Sequence, residues 1–333
     1  MGTERTVLYM EGNNGPSCGL DMEIIRHAGG TLRCMTATNS AERLRMAKDA
    51  EVLIINQVSV TREFLTALPQ VKGIVRTGIG VDTIDLEAAS DFGVIVANVP
   101  DFCRDEVAEH ALGLILAVTR KITQADRLVR HGGWNQGVSA PIRRLNGQIL
   151  GLIGLGRIGQ TVARKAQGLG LKVIGFDPHV KPADVEALGI HSMALNEVMA
   201  QADILSLHVP ATENTRHIIN HQTLGLMKPG TILINTARGS VVDEVALCAS
   251  LASGRLAGAG LDVLESEPPR VPNPLFQFEN VVFTCHYASC SVEAYARLCR
   301  EISEQAGEIL RGEFPRHLVN QRVKHSAQCR LRN

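Results

Sequence analysis

The stretch QILGLIGLGRIGQTVARKAQGLGLKVIGFD, residues 148–177, limits what this chain can fold into more than any other. An apolar run ends in Gly154-x-Gly156-x-x-Gly159, a helical pattern opens at once, and a second apolar run ends in Asp177, 18 positions past Gly159. Strand, tight turn, helix, strand and carboxylate in that order are what a dinucleotide-binding βαβ unit needs. Gly154 allows the turn, Gly156 lets backbone approach a pyrophosphate, and Gly159 permits close packing of the helix. The helix N-terminus offers free N–H groups and a partial positive charge to phosphates. Asp177 can accept hydrogen bonds from an adenosine ribose diol but would repel a 2′-phosphate, so NAD is expected rather than NADP. A glycine-rich turn without a ligand is the bland alternative; the complete context outweighs it.

Short β-rich runs alternate with helical patterns along the rest of the chain. TVLYM, VLIIN, GIVRTG and VIVANV fall in the first hundred residues; QILGLIG, KVIGFD, DILSLHV, TILINTA and NVVFTC follow. Such alternation gives an α/β protein with parallel sheets, and 333 residues suffice for two doubly wound domains with separate cores. Residues 105–133, DEVAEHALGLILAVTRKITQADRLVRHGG, predict one long helix stopped by Gly132 and Gly133 and joining the two domains. Past the last strand, SVEAYARLCREISEQAGEILRGE predicts a helix, closed at Gly312, that returns to the first domain. The basic, polar tail from Lys324 is expected to be loosely held.

Charge narrows the partners. With 34 basic and 34 acidic residues, no net field draws the chain to nucleic acid or an anionic membrane, which leaves a small molecule. The eight cysteines show no C-x-x-C pair or disulfide-style spacing, and no run of about 18 apolar residues occurs. A soluble cytoplasmic protein is expected.

Three later segments stand at strand ends or just beyond: NTARGS with Arg238, LDVLESEPP with Asp262 and Glu267, and TCHYAS with His286. In an open α/β sheet, ligands bind outside the carboxyl ends of the strands. Arginine, carboxylate and histidine beside a nicotinamide suit hydride transfer coupled to proton transfer at a carbonyl. Arg238 clamps a substrate carboxylate and polarises the adjacent C=O, His286 gives or takes the proton on oxygen, and Glu267 fixes the imidazole tautomer. Taken singly, each has a duller role as a surface ion partner or core histidine; together on this scaffold the catalytic reading prevails. Cys285 and Cys290 around His286 suggest a metal, but no partner pair stands at zinc-finger spacing, so no metal is expected. His217 and His221 would share a face if helical, yet H-E-x-x-H is absent, and they read as solvated or capping residues. Trp134 reads as a packing residue.

At this point the chain resembles the D-isomer-specific 2-hydroxyacid dehydrogenases, and within them the C-terminal-binding-protein-like branch. The match is carried by RTGIGVDTIDLEAA, NVPDFCRDEVAEHALGLILAVTRK, LGLIGLGRIGQ, GFDP, HVPATENTRHIIN, LMKPGTILINTARGSVVDE, GAGLDVLESEPP and CHYAS. The resemblance implies a flavodoxin-like substrate-binding domain from residues 1–100 and 291–333 and a Rossmann NAD-binding domain from 101–290. It implies that Arg238, Glu267 and His286 are catalytic. Gly154, Gly156, Arg157, Ile158, Gly159, Asp177, His208, Val209, Pro210, Thr215, Thr236, Ala237, Asp262 and Ala288 should line the cofactor. The backbone around Thr77, Gly78, Ile79 and Gly80 should meet the substrate carboxylate. Apart from the resemblance, Arg76 reads as a substrate-binding candidate that adds positive charge for a diacid or phosphorylated substrate or else forms a structural ion pair, and Tyr9, Met10 and Asn56 are candidates for shaping substrate choice. A 2-oxo or 2-hydroxy acid substrate, a closing cleft and a homodimer complete the implication; an NAD-responsive corepressor-like binding protein is the rival. A formate-dehydrogenase-like enzyme is disfavoured by glutamate rather than glutamine at position 267. Where the family usually has proline before its histidine this chain has Cys285, and Tyr287 replaces a small or aliphatic residue.

Overall fold

The computed structural model describes residues 5–11, 19–36, 39–135 and 141–331. The chain divides into two compact units, one made of residues 1–102 and 291–333, the other of 103–290. In the first unit lie β1 (Arg5–Glu11), β2 (Gly30–Thr36), β3 (Ala50–Ile55), β4 (Gly73–Arg76) and β5 (Ile95–Ala97), joined as one parallel sheet in the order β2-β1-β3-β4-β5. This is the doubly wound arrangement that alternating apolar strands and short capped helices dictate. Leu8, Leu53, Ile55, Leu65 and Ile74 form its buried core; each such side chain contributes roughly 1.5–3 kcal/mol by leaving water.

The second unit holds β6 (Ile149–Ile153), β7 (Lys172–Phe176), β8 (Ile190–Ser192), β9 (Ile204–Leu207), β10 (Thr231–Asn235), β11 (Leu256–Leu261) and β12 (Val281–Phe283). All pair in parallel in the order β12-β11-β10-β9-β6-β7-β8, which reverses direction between β6 and β9. Because strand side chains alternate, neighbouring residues supply opposite cores: Leu150, Leu152, Ile204 and Ile234 pack on one face, Ile153, Leu205, Leu207 and Leu233 on the other. Two doubly wound parallel sheets are therefore present, as the alternation of patterns led us to expect.

Three expectations need correction. The predicted long helix is two, Arg104–Thr119 and Ile122–Arg130, because Lys121 takes a left-handed φ of 55°. Thr119 marks the break, its hydroxyl donating back to Ile115 O at 2.6 Å, a bond that competes with continued helix. Gly132, with φ 81°, does close the second helix. Trp134 is 89% exposed and packs no core.

The tail is the third. The helix Val292–Leu310 belongs to the first unit, opened by Ser291 Oγ accepting from Ala294 N–H at 2.8 Å. Beyond it Val319 N–H donates to Val96 O at 2.7 Å, and Asn320 Oδ1 accepts from Val96 N–H at 2.9 Å. Further on, Cys329 is buried and the Arg330 guanidinium donates to Leu68 O and Val71 O at 3.0 and 2.7 Å. Burial holds the pKa of Arg330 below its ordinary value. Composition suggested a loose tail; a basic side chain satisfying two buried carbonyls outweighs it. Arg332 and Asn333 lie outside the described residues. Arg330→Ala should therefore cost about 1–3 kcal/mol in denaturant unfolding of the full chain, with faster C-terminal proteolysis; an unchanged midpoint would show the anchor to be idle.

Candidate active site

In a parallel sheet every strand ends on the same edge, so the residues that follow β6, β7, β9, β10, β11 and β12 are gathered without any special device. Gly154 follows β6 with φ 97°, and a Cβ there would lie 2.4 Å from His208 O. A Cβ on Gly159 would meet Gly154 O at 2.2 Å, which is the close helix packing read from the motif. Gly156 is the N-cap of the helix Arg157–Gln167, and a Cβ there would meet nothing within 4 Å. Arg157 and Ile158 occupy its first turn; Arg157 is exposed, while Ile158 packs partly on the core.

Asp177 ends β7's turn and accepts from Leu155 N–H and His179 N–H, both at 2.8 Å, so its carboxylate ties the glycine turn to the next loop. After β9 come His208, Val209 and Pro210. Burial pushes the pKa of His208 down to about 4, so it is neutral at working pH. Thr215 folds its hydroxyl onto Pro210 O at 2.6 Å. After β10, Thr236 Oγ1 is buried without a hydrogen-bond partner, and Ala237 N–H donates to Asn235 Oδ1 at 3.0 Å. A buried hydroxyl left unpaired costs about 1–3 kcal/mol, which a polar group of a bound cofactor offsets. Open space at Gly156 and the orphan hydroxyl of Thr236 both fit a dinucleotide on this edge.

Arg238, Glu267 and His286 stand on the same edge. Arg238 is set by Asn235, whose side-chain amide donates to Arg238 O at 2.8 Å, and its Nη1 donates to Ala237 O at 2.7 Å. The loop after β11 comes against the Arg238 loop at Gly239, where a Cβ would lie 1.9 Å from Leu264 O. Only glycine lets these backbones meet so closely. Glu267 turns into the site with Oε1 accepting from Leu264 N–H at 3.0 Å and Oε2 lying 2.5 Å from His286 Nδ1.

The Glu267 carboxyl feels opposed influences. Burial penalises its charge, but the His286 hydrogen bond and charge, the Leu264 N–H and the nearby Arg238 more than offset this and hold the pKa below its ordinary value. A carboxylate can only accept, so Nδ1 of His286 carries the proton in that bond and Nε2 is left to exchange one. His286 has a left-handed φ of 55°, unusual for a residue with Cβ. The carboxylate of Asp262, itself buried, holds the turn: it accepts from Thr284 Oγ1–H at 2.5 Å, Tyr287 N–H at 3.1 Å and Ala288 N–H at 3.0 Å.

Arg76, Thr77, Gly78, Ile79 and Gly80 lie in the other unit, at the carboxyl end of β4. There Thr77 N–H donates to Ile55 O at 2.8 Å and Gly78 N–H to Arg76 O at 3.0 Å, while Arg76 Nη1 folds back onto Thr77 O at 2.5 Å. Met10 and Tyr9 are buried in that unit's sheet; Asn56, just past β3, is half-buried.

Two thiols beside the site are not activated. Burial pushes Cys103 up to about 12 and raises Cys290 as well. Among the described residues no three His, Cys, Asp or Glu side chains are grouped to hold a metal, and no helix is long and apolar enough to cross a membrane. His217 and His221 do not share a helix: Asn220 caps the helix His221–Leu226, and His217 pairs with Glu265 from a left-handed turn.

Fold and edge together define a two-unit α/β protein with a dinucleotide-binding sheet carrying an arginine, a glutamate and a histidine. Residues 112–288 match the model of the D-isomer specific 2-hydroxyacid dehydrogenase NAD binding domain. The chain is 40% identical over 293 residues to D-3-phosphoglycerate dehydrogenase of Methanocaldococcus jannaschii, covering 87% of this chain and 56% of that one. It is 39% identical over 285 residues to glyoxylate reductase of Thermococcus litoralis, 84% of this chain and 86% of the other. Among solved structures, D-lactate dehydrogenase from Aquifex aeolicus complexed with NAD and lactic acid superposes with a TM-score of 0.84 at 29% identity, over 94% and 99% of the two chains. The chain belongs to the D-isomer-specific 2-hydroxyacid dehydrogenase family and carries its NAD-binding domain. It spans about half the length of the phosphoglycerate dehydrogenases it matches. These relatives are named for dehydrogenase or reductase activity, which lends the corepressor-like reading no support.

Proposed function

We propose that the protein interconverts a small 2-oxo acid and its D-2-hydroxy acid with NAD. The observation that carries this is the His286–Glu267 pair at 2.5 Å, with Nε2 left to exchange a proton and Arg238 close enough for its charge to act on Glu267. Gly156 and the first turn at Arg157 and Ile158 bind the pyrophosphate, Asp177 the adenosine ribose, and Thr236 Oγ1 a polar group of the cofactor. The cofactor, when bound, supplies hydride for reduction or accepts it in oxidation. Arg238 binds the substrate carboxylate and draws charge onto the carbonyl oxygen. His286 Nε2–H gives its proton to that oxygen in reduction, and neutral Nε2 takes it back in oxidation. Glu267 keeps the other nitrogen protonated and the ring oriented.

In the same reading the unit of residues 1–102 and 291–333 is substrate-binding, its loop at Arg76–Gly80 receiving a carboxylate on the N–H groups of Ile79 and Gly80, since those of Thr77 and Gly78 already have partners. Kinship extends the proposal to a cytoplasmic homodimer, which sedimentation of the purified chain tests. The test of activity is a panel of 2-oxo acids assayed with NADH and NADPH at the nicotinamide absorbance. Turnover is expected with NADH, weaker turnover with NADPH, and a loss of about 10²–10³-fold in Arg238→Ala. Wild-type rates in that variant on every acid reduced would end the assignment of Arg238.

A further inference from the structure

The floor under His286 is more elaborate than a turn requires. Helix Arg104–Thr119 presses on β11 where that strand has glycine: a Cβ on Gly260 would lie 2.9 Å from Leu114 Cβ, and one on Gly258 2.9 Å from Val118 Cγ1. The close seating fixes the helix against β11, the strand that Asp262 directly follows. From it His110 reaches Thr284 Oγ1 with Nε2 at 2.9 Å, while Thr284 Oγ1 donates to Asp262 Oδ1 at 2.5 Å. A hydroxyl has one hydrogen, and here Asp262 receives it; His110 Nε2 must therefore be the donor to Thr284. Directed bonds run from His110 to Thr284 to Asp262, and Asp262 receives Tyr287 and Ala288 N–H on its carboxylate. Its carbonyl accepts His286 N–H at 2.8 Å. The imidazole of His110 also meets the Tyr287 ring edge-on, centroids 5.1 Å apart at 69°.

His286 is thereby held on both sides: Asp262 O takes its own N–H, and the carboxylate takes those of the two residues after it. A left-handed φ at a residue with Cβ persists only where surroundings over-determine it. We propose that His110 is a positioning residue for His286, acting through Thr284 and Asp262 and through the Tyr287 ring to keep Nδ1 on Glu267. This rests on the reading of His286 as the proton donor and acceptor, and it deepens that reading by naming what holds the group in place. Tyr287 supplies the ring contact with His110, which a small or aliphatic residue at that position could not make.

Two readouts on the full chain test it. In wild type, the short Nδ1–H···Glu267 bond should give a strongly downfield proton resonance, observed on protein labelled with 15N-histidine. In His110→Ala that resonance should broaden or shift, and kcat should fall about tenfold while KM for NADH stays within about twofold, because only the aim of His286 is altered. His110→Gln, whose side-chain N–H can reach Thr284 as Nε2–H does, should restore kcat to within about threefold and return the resonance. An unchanged resonance and kcat in His110→Ala would overturn the proposal, and so would equal impairment in His110→Ala and His110→Gln, which would mark His110 as packing alone. If wild type turns over no 2-oxo acid, the functional reading fails separately, while the resonance still reports whether His110 positions His286.

Discussion

Replacing His286 by asparagine is expected to lower turnover on 2-oxo acids by about 10²–10⁴-fold while NADH binding, read by fluorescence, stays near wild type. Asparagine can donate a hydrogen bond to a carbonyl but cannot release a proton to it. Glu267→Gln should approach the same loss for a different reason. A glutamine side chain can turn its NH2 toward Nδ1, which places the ring proton on Nε2 and removes the base needed for oxidation; the analogous change in a serine-protease triad costs about 10⁴-fold. Oxidation of the hydroxy acid should therefore suffer more than reduction. Acidity adds a further check. The folded-state pKa of Glu267 is lowered, so the stability its ionised carboxylate draws from the Nδ1–H bond is fully present above the ordinary carboxylate value and is lost only as pH falls through the lower folded one. Wild type should keep the pair intact to below about pH 4.5, the unperturbed value. A wild-type rate in either variant, or identical losses in both directions for Glu267→Gln, would remove this account.

The second large effect concerns no reacting group. Gly239→Ala places a methyl 1.9 Å from Leu264 O and 2.4 Å from Glu265 N, backbone atoms that cannot swing aside as a flexible side chain does. The loops carrying Arg238 and Glu267 must separate. A displacement near 1 Å at the reacting groups is worth about 10²-fold in rate, and the overpacking itself costs roughly 1–3 kcal/mol. We expect kcat to fall by about 10²-fold or more and the unfolding midpoint to drop, both measured on the same preparation. Retention of wild-type kcat would mean that the loops have slack the close contact does not suggest.

Legibility in the sequence differs by kind of feature. Strands with β-branched or bulky apolar residues, such as VLIIN and TILINTA, declare themselves. Three others do not: β11, LAGAGL, is built of small residues because a helix must press on it; β8, IHS, is a short edge; β2, GTLRCMT, lacks a clean alternation. The glycine turn and the Arg, Glu and His segments are legible because those chemistries occupy strand ends, which the pattern locates. His110 is not, since a histidine in the helical stretch DEVAEHALG looks like any other until the fold brings Thr284 and Asp262 to it. Gly239 reads as part of a loop; what it admits is backbone distant in sequence. The tail shows composition failing where two carbonyls, Leu68 O and Val71 O, needed a donor.

The unit that holds β1 is completed by segments more than two hundred residues further on, Val319 on β5 and Arg330 beneath the loop at Leu68. During synthesis, residues 103–290 emerge whole and can collapse on their own, whereas the sheet translated earlier must wait for partners made later. Nascent β5 meanwhile offers an unsatisfied edge to solvent. The interval between those two moments is when this polypeptide is most open to chaperone capture or misassembly.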